Sequence, residues 1–168
     1  MKPKFGLLEA KQKIEAFCAY QERCDQEVRK KLKSWNMYSE DVDVLISDLI
    51  SHNFLNEERF AKAYVSGKFR IKKWGRIKIK QHLKQKAISD YSMRAGLSEI
   101  DMNEYLETLE QITLSKLRLM NESDTWKKYA KMQRYLHGKG YEQEFIIQIL
   151  EKTGLKPAWQ IKVILKRR

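Results

Sequence analysis

Three segments of this chain follow one design. EVRKKLKSWNMYSEDVDVLISDL, IKIKQHLKQKAISDYSMRAGLSEI and YAKMQRYLHGKGYEQEFIIQILEK each read as a basic helix closing on a leucine, a short break, and an apolar-rich helix. The closing leucines are Leu32, Leu83 and Leu136, 51 and 53 residues apart. Periods of this size mark stacked helical units that bury each other's faces. Another helical segment precedes each pair. The expected fold is therefore all-α, with three tandem three-helix modules at 1–53, 54–100 and 101–154. We expect them to form an elongated, curved array rather than a compact nine-helix globule. Two prolines and seven glycines in 168 residues suit long helices better than a turn-rich β architecture.

Apolar spacing places the individual helices. The first, Leu7 to Tyr20, is expected to bury Leu8, Ile14, Phe17 and Cys18. Asp25 opens the second, which carries Val28, Leu32 and Trp35. Ser39 is read as the cap of the third, with Val42, Leu45, Ile46, Leu49 and Ile50 inward and His52-Asn53 at its end. Asn56 caps the fourth, with Glu57 and Glu58 suited to the positive end of its dipole. Phe60, Tyr64 and Ile71 fall on one side of that helix. Trp74-Gly75 breaks the run, and the fifth helix, to about Lys86, has Ile79, Leu83 and Ala87 in a stripe. Ser89, Asp101 and Asp124 open the next three. Gly138 and Gly140 terminate the eighth, and the ninth runs from Tyr141 to Lys152. The tail from 155 to 168 alternates Trp159, Ile161, Val163 and Leu165 with Gln160, Lys162, Ile164 and Lys166, a strand period with no partner strand in view. It stays open as an appendage, an edge that pairs between chains, or a basic end.

Charge is concentrated in the middle of the chain. Between Arg59 and Ser89 there are 11 Lys or Arg and no Asp or Glu, leaving 23 basic against 22 acidic residues elsewhere. Nearly all of the net +12 lies in this window. A solubilising surface mixes signs, whereas a one-sign field attracts polyanions. On the fourth helix Arg59, Lys62, Arg70 and Lys73 share a narrow arc, and on the fifth Arg76, Lys80 and Lys84 form a ridge beside the apolar stripe. These seven are the expected nucleic-acid or filament contacts. Trp74, flanked by Lys73 and ahead of Gly75 and Arg76, has two readings: stacking on a base, or packing into a corner between helices. Packing is the preferred one, and the residue is kept as a member of the set.

Other classes find little support. There is no Gly-rich phosphate loop, paired nucleophile and base, or zinc motif, so no enzyme and no cofactor is expected. His52, His82 and His137 lack ligand spacing, and Cys18 and Cys24 are read as two reduced thiols. No apolar run reaches the length of a membrane span and MKPKFGLLEAKQK lacks a signal peptide's apolar segment, so a cytoplasmic location is expected. A monomer is expected as well, though the sequence leaves the oligomeric state open.

The run NFLNEERFAKAYV…KKWGRIKIKQHLKQKAIS resembles the central signature of the RecX family of regulatory proteins. The matching positions are Glu58, Arg59, Phe60, Ala61, Tyr64, Gly75, Ile79 and Leu83. AYQERCDQEVRKKL resembles the family's first module through Arg23, Glu27, Val28 and Leu32, and MQRYLHGKGYEQEFIIQIL its third through Leu136, Gly140, Tyr141 and Ile146. The likeness covers residues 7 to 154. Cys24 departs from the usual Ser and Ala87 from the Gly that commonly ends the helix, and both departures touch capping. The resemblance implies a protein that lodges in the groove of a RecA filament on single-stranded DNA and suppresses ATP hydrolysis and strand exchange. Phosphate contacts of this kind are sequence-tolerant and salt-sensitive. The residues alone also allow a stand-alone nucleic-acid-binding module, or a helical scaffold for an acidic protein.

Overall fold

The computed structural model describes residues 2–156; the alternating tail positions from Trp159 onward lie outside them. The described residues carry nine α-helices and no strand: α1 (Leu7–Tyr20), α2 (Asp25–Ser34), α3 (Ser39–Ser51), α4 (Glu57–Arg70), α5 (Arg76–Gln85), α6 (Asp90–Leu97), α7 (Met102–Arg118), α8 (Thr125–Lys139) and α9 (Gln143–Lys152). The all-α expectation holds.

The repeat is physical as well as textual. Leu32, Leu83 and Leu136 are all completely buried. Four residues beyond each, the chain turns left-handed, at Asn36 (φ 57°), Ala87 (φ 56°) and Gly140 (φ 90°). The following amide then returns to the leucine carbonyl: Met37 to Leu32 at 3.3 Å, Ile88 to Leu83 at 3.2 Å and Tyr141 to Leu136 at 3.3 Å. This is a Schellman ending, in which the residue after the left-handed turn packs on the last helical turn. Met37, Ile88 and Tyr141 are accordingly buried. One local device ends each of the three basic helices and aims the next, and the same turn closes α3 at Asn53 and α9 at Gly154.

Start signals also follow from residue chemistry. The Asn56 side chain accepts from the Arg59 amide at 2.9 Å, Ser89 accepts from Ser92, Asp101 from Asn103 and Glu104, and Asp124 from Lys127. Cys24, where a serine was expected from the resemblance, is the N-cap of α2. Its thiol takes the Glu27 amide while the Glu27 carboxylate takes the Cys24 amide at 3.4 Å. Cys18 and Cys24 are both free and buried, and burial pushes the Cys18 thiol up to about 11.

The helices gather into two compact units. Met1–Val65 with His82–Glu99 make the first, and Ser66–Gln81 with the chain from Ile100 onward make the second, so α4 and α5 each contribute to both. In the first unit a core of Ile14, Val28, Leu32, Leu45, Ile46 and Leu49 is flanked by Phe5, Phe17 and Phe54. The second is built around Tyr105, fully buried against Phe69, Tyr141 and Phe145 with ring centres 5.7, 5.0 and 6.1 Å away.

Some sequence expectations give way here. Leu8 is 72% exposed, because α1 buries the Ala10, Ile14 and Cys18 row instead. Ile50 is exposed beside buried Leu49, so the apolar stripe of α3 is narrower than its composition suggested. Ile71 lies beyond the end of α4 and is 76% exposed, while the buried face of that helix is Phe60, Ala61, Val65 and Phe69. Small Ala61 lets Gly96 pass so close that a Cβ there would lie 2.9 Å from the Ala61 carbonyl oxygen. Ser39 is the first residue of α3, not its cap, since the N-cap position falls on Tyr38.

Two substitutions test this reading by chemical denaturation. Leu83→Ala empties a fully buried site and is expected to cost about 2–5 kcal/mol. Ala87→Gly relieves a left-handed non-glycine residue and is expected to stabilise by about 1 kcal/mol.

Candidate nucleic-acid interface

The geometry of the basic region starts from a junction of two helix ends in the second unit. Every helix leaves its first amides and last carbonyls unsatisfied. At the start of α5 those amides find partners far away in sequence. Gly75 N–H donates to the Lys139 carbonyl at 2.8 Å, Ile77 N–H to the Gly140 carbonyl at 3.0 Å, and Arg76 N–H to the Tyr105 hydroxyl at 3.0 Å. The Lys78 ammonium adds a bond to the Gly138 carbonyl at 3.0 Å. The positive end of α5 and the negative end of α8 thus cap each other. Contact is so close that a Cβ on Gly75 would lie 2.2 Å from the Gly140 carbonyl oxygen. The Tyr105 hydroxyl in turn donates to the Glu142 carboxylate at 2.5 Å; burial, reinforced by that bond, drives the phenol far above its usual pKa.

Around this junction stand the second unit's members of the expected contact set. Arg70 reaches Glu104 at 3.2 Å and Ser66 at 3.1 Å. Arg76 lies over the Tyr105 ring at 4.4 Å and bonds the Ile100 carbonyl at 3.4 Å. Lys73 has a left-handed backbone, φ 55°, and its carbonyl accepts from the Tyr141 hydroxyl. Trp74 is half-buried, with the Lys68 and Lys78 ammoniums 5.1 and 4.7 Å from its ring centre. Lys80 is exposed and makes no ion pair among the described residues.

The first unit holds Arg59, Lys62 and Lys84. Arg59 is a fastener: its Nε donates to Glu22 at 2.5 Å and its Nη atoms to the Asn53 side chain at 3.0 Å and carbonyl at 2.9 Å. Lys62 pairs with Glu58 at 3.0 Å and Glu99 at 3.4 Å. Lys84 is exposed and, among the described residues, makes no ion pair. The expected set therefore divides by compensation. Arg59, Lys62 and Arg70 face carboxylates; Lys80 and Lys84 face solvent.

Sequence reasoning missed several participants. Glu57 does more than suit the α4 dipole. Its carboxylate accepts from the Ser89 amide (3.1 Å), Ser89 Oγ (2.5 Å) and Ser92 Oγ (2.7 Å), anchoring the start of α6. Burial works against its ionisation, but the serine bonds outweigh that and hold the carboxyl below its ordinary value. Lys86 is half-buried against Glu27 at 2.6 Å; burial lowers its pKa, and the carboxylate more than restores it. On α8, Lys139 reaches the Lys72 carbonyl at 3.4 Å, bringing a cation of the third repeat to the basic window. The only hint of this was the Gly-Lys-Gly at 138–140.

These features define a class, an all-α protein with its positive charge concentrated in the middle of the chain. A family model described as RecX, second three-helix domain, matches residues 56–97, and one described as RecX, third three-helix domain, matches residues 103–150. The chain belongs to the RecX family of regulatory proteins. Regulatory protein RecX of Clostridium acetobutylicum is 30% identical over 149 residues, covering 86% of this chain and 69% of that protein. The Clostridium tetani protein of the same name is 32% identical over 132 residues, covering 77% and 60%. The chain thus spans about two thirds of the length of these relatives. The crystal structure of RecX from Lactobacillus salivarius superposes with a TM-score of 0.77 at 21% identity, over 89% of this chain and 97% of that one. A second crystal structure of regulatory protein RecX gives 0.79 at 22% identity, over 86% and 73%. No helix among the described residues is long and apolar enough to cross a membrane.

The Glu57 anchor carries a pH signature. A carboxyl depressed on folding stabilises fully above its unfolded value of 4.5 and loses that contribution as pH falls through the lower folded value. Glu57→Gln is expected to lower the urea midpoint at pH 7 and to flatten its fall below about pH 4.5.

Proposed function

We propose that this chain is a non-catalytic cytoplasmic regulator of a RecA-type recombinase. In this reading it docks as a monomer on the recombinase filament assembled on single-stranded DNA and slows ATP hydrolysis and strand exchange. The modules at 1–53, 54–100 and 101–154 supply the body, and the central one supplies the contact. Lys80 and Lys84, one turn apart on α5, lead that contact, with Lys73 and Arg76 before them. Arg59, Lys62 and Arg70 contribute by exchanging their carboxylates for phosphates, or remain as fasteners. The observation that carries the reading is a family likeness centred on the one stretch of chain with 11 cations and no acid.

Exposed cations without carboxylate partners suit this role. They lose no internal pairing on binding, and each gains from counterion release at a phosphate. Contacts to phosphate carry no sequence information, so the filament's DNA can vary freely.

The test is a titration into the single-strand-dependent ATPase of a RecA-type recombinase. Near-equimolar protein is expected to slow it. Lys80→Glu with Lys84→Glu is expected to raise the half-inhibitory concentration at least about tenfold while leaving helical content unchanged. No slowing at any ratio contradicts the reading.

A further inference from the structure

We propose that the second unit carries a stacking platform for single-stranded nucleic acid, formed by Tyr135 and Trp74 with Lys78, Lys116 and Lys139. This deepens the reading above and rests on it. It adds bases, beyond phosphates, to what the surface recognises, and it assigns contacts to α7 and α8 outside the central basic window.

The argument begins with charge compensation. Lys78, Lys116 and Lys139 make no ion pair among the described residues. Their partners are rings and carbonyls instead. The Lys116 ammonium is 5.3 Å and that of Lys139 5.8 Å from the Tyr135 ring centre, while Lys78 is 4.7 Å from that of Trp74. Two half-buried aromatic rings are therefore each attended by two ammoniums, Lys68 being the second at Trp74.

The backbone junction places them together. Tyr135 and Lys139 are one turn apart on α8 and share a face. Lys139 reaches from that ring to the Lys72 carbonyl, two residues before Trp74. From the other side Lys78 spans the Trp74 ring and the Gly138 carbonyl. Both rings thus border the place where α8 ends and α5 begins.

An ammonium over a partly exposed ring is held weakly. A single strand offers a better exchange, because a base presents its π-face to the ring while the adjoining phosphate takes the lysine. A duplex keeps its bases stacked on one another and offers phosphates alone. An acidic peptide likewise satisfies the lysines and gives the rings nothing.

Fluorescence anisotropy with labelled oligothymidylate and a duplex of equal length, across a salt series, tests this on the full chain. The single strand is expected to bind more tightly. Tyr135→Leu is expected to weaken single-strand binding about tenfold, whereas Tyr135→Phe stays within about twofold. Lys116→Ala and Lys139→Ala are each expected to lower the salt slope by about 0.7. Equal loss in the Leu and Phe variants, equal affinity for duplex, or competition by polyglutamate as strong as by oligothymidylate overturns the platform. Should Tyr135→Leu unfold by circular dichroism, the lysine variants decide, and an unchanged salt slope overturns it. Failure is separable from that of the regulatory reading: a Tyr135→Leu protein that binds strands normally and still slows the recombinase ATPase removes the platform alone.

Discussion

The second unit depends on a bond between two helix ends. α5 follows a glycine, Gly75, which has no side chain to cap it, and its first amides are satisfied by the carbonyls of Lys139 and Gly140 and by the Tyr105 hydroxyl. The same bonds satisfy α8, whose last carbonyls would otherwise be orphaned. Gly75 has to be glycine because the Gly140 backbone occupies the place of its Cβ, and Gly140 has to be glycine both because a Cβ there would lie 2.3 Å from that of Lys78 and for its left-handed φ. The family signature's glycine thereby acquires a cause. It fixes where α5 starts, and with it the positions of Trp74, Arg76 and Lys78.

Much of the fold is legible in the chain because its signals are local. Leu32, Leu83 and Leu136 stand at nearly equal intervals, and each ends its helix by a Schellman turn that needs only its own next five residues. Caps at Asn56, Ser89, Asp101 and Asp124 are equally local. The misses have a shared origin. Leu8, Ile50 and Ile71 fit a helical period but sit at its margins, where neighbouring helices rather than periodicity decide which residue is covered. Ala87 shows the reverse, a residue unsuited to its left-handed turn that the surrounding Schellman bonds hold there.

The candidate surface was legible in sign and location but not in detail. Counting charges finds the window; it does not find partners. Glu22, Glu99 and Glu104 lie 37, 37 and 34 residues from the cations they face, beyond any spacing rule. Compensation turns Arg59 into a bolt across the first unit, with Asn53 and Glu22 as its seats. Lys80 and Lys84 keep their charge for solvent or a ligand. Lys116 was invisible to the count because its neighbourhood in sequence is mixed, and Lys139 because it lies outside the central window, yet folding delivers Lys139 to the carbonyl of Lys72. A basic surface is thus selected twice, first by composition and then by which carboxylates the fold brings near.

Hydrogen exchange of the protein bound to a recombinase filament on single-stranded DNA tests the central claim most directly. Slowed exchange is expected across residues 72–84, with a second protected stretch at 135–140, while α1 and α3 exchange as in the free protein. Protection confined to α1–α3, with 72–84 unchanged, would contradict the assignment of the contact to the central basic helices.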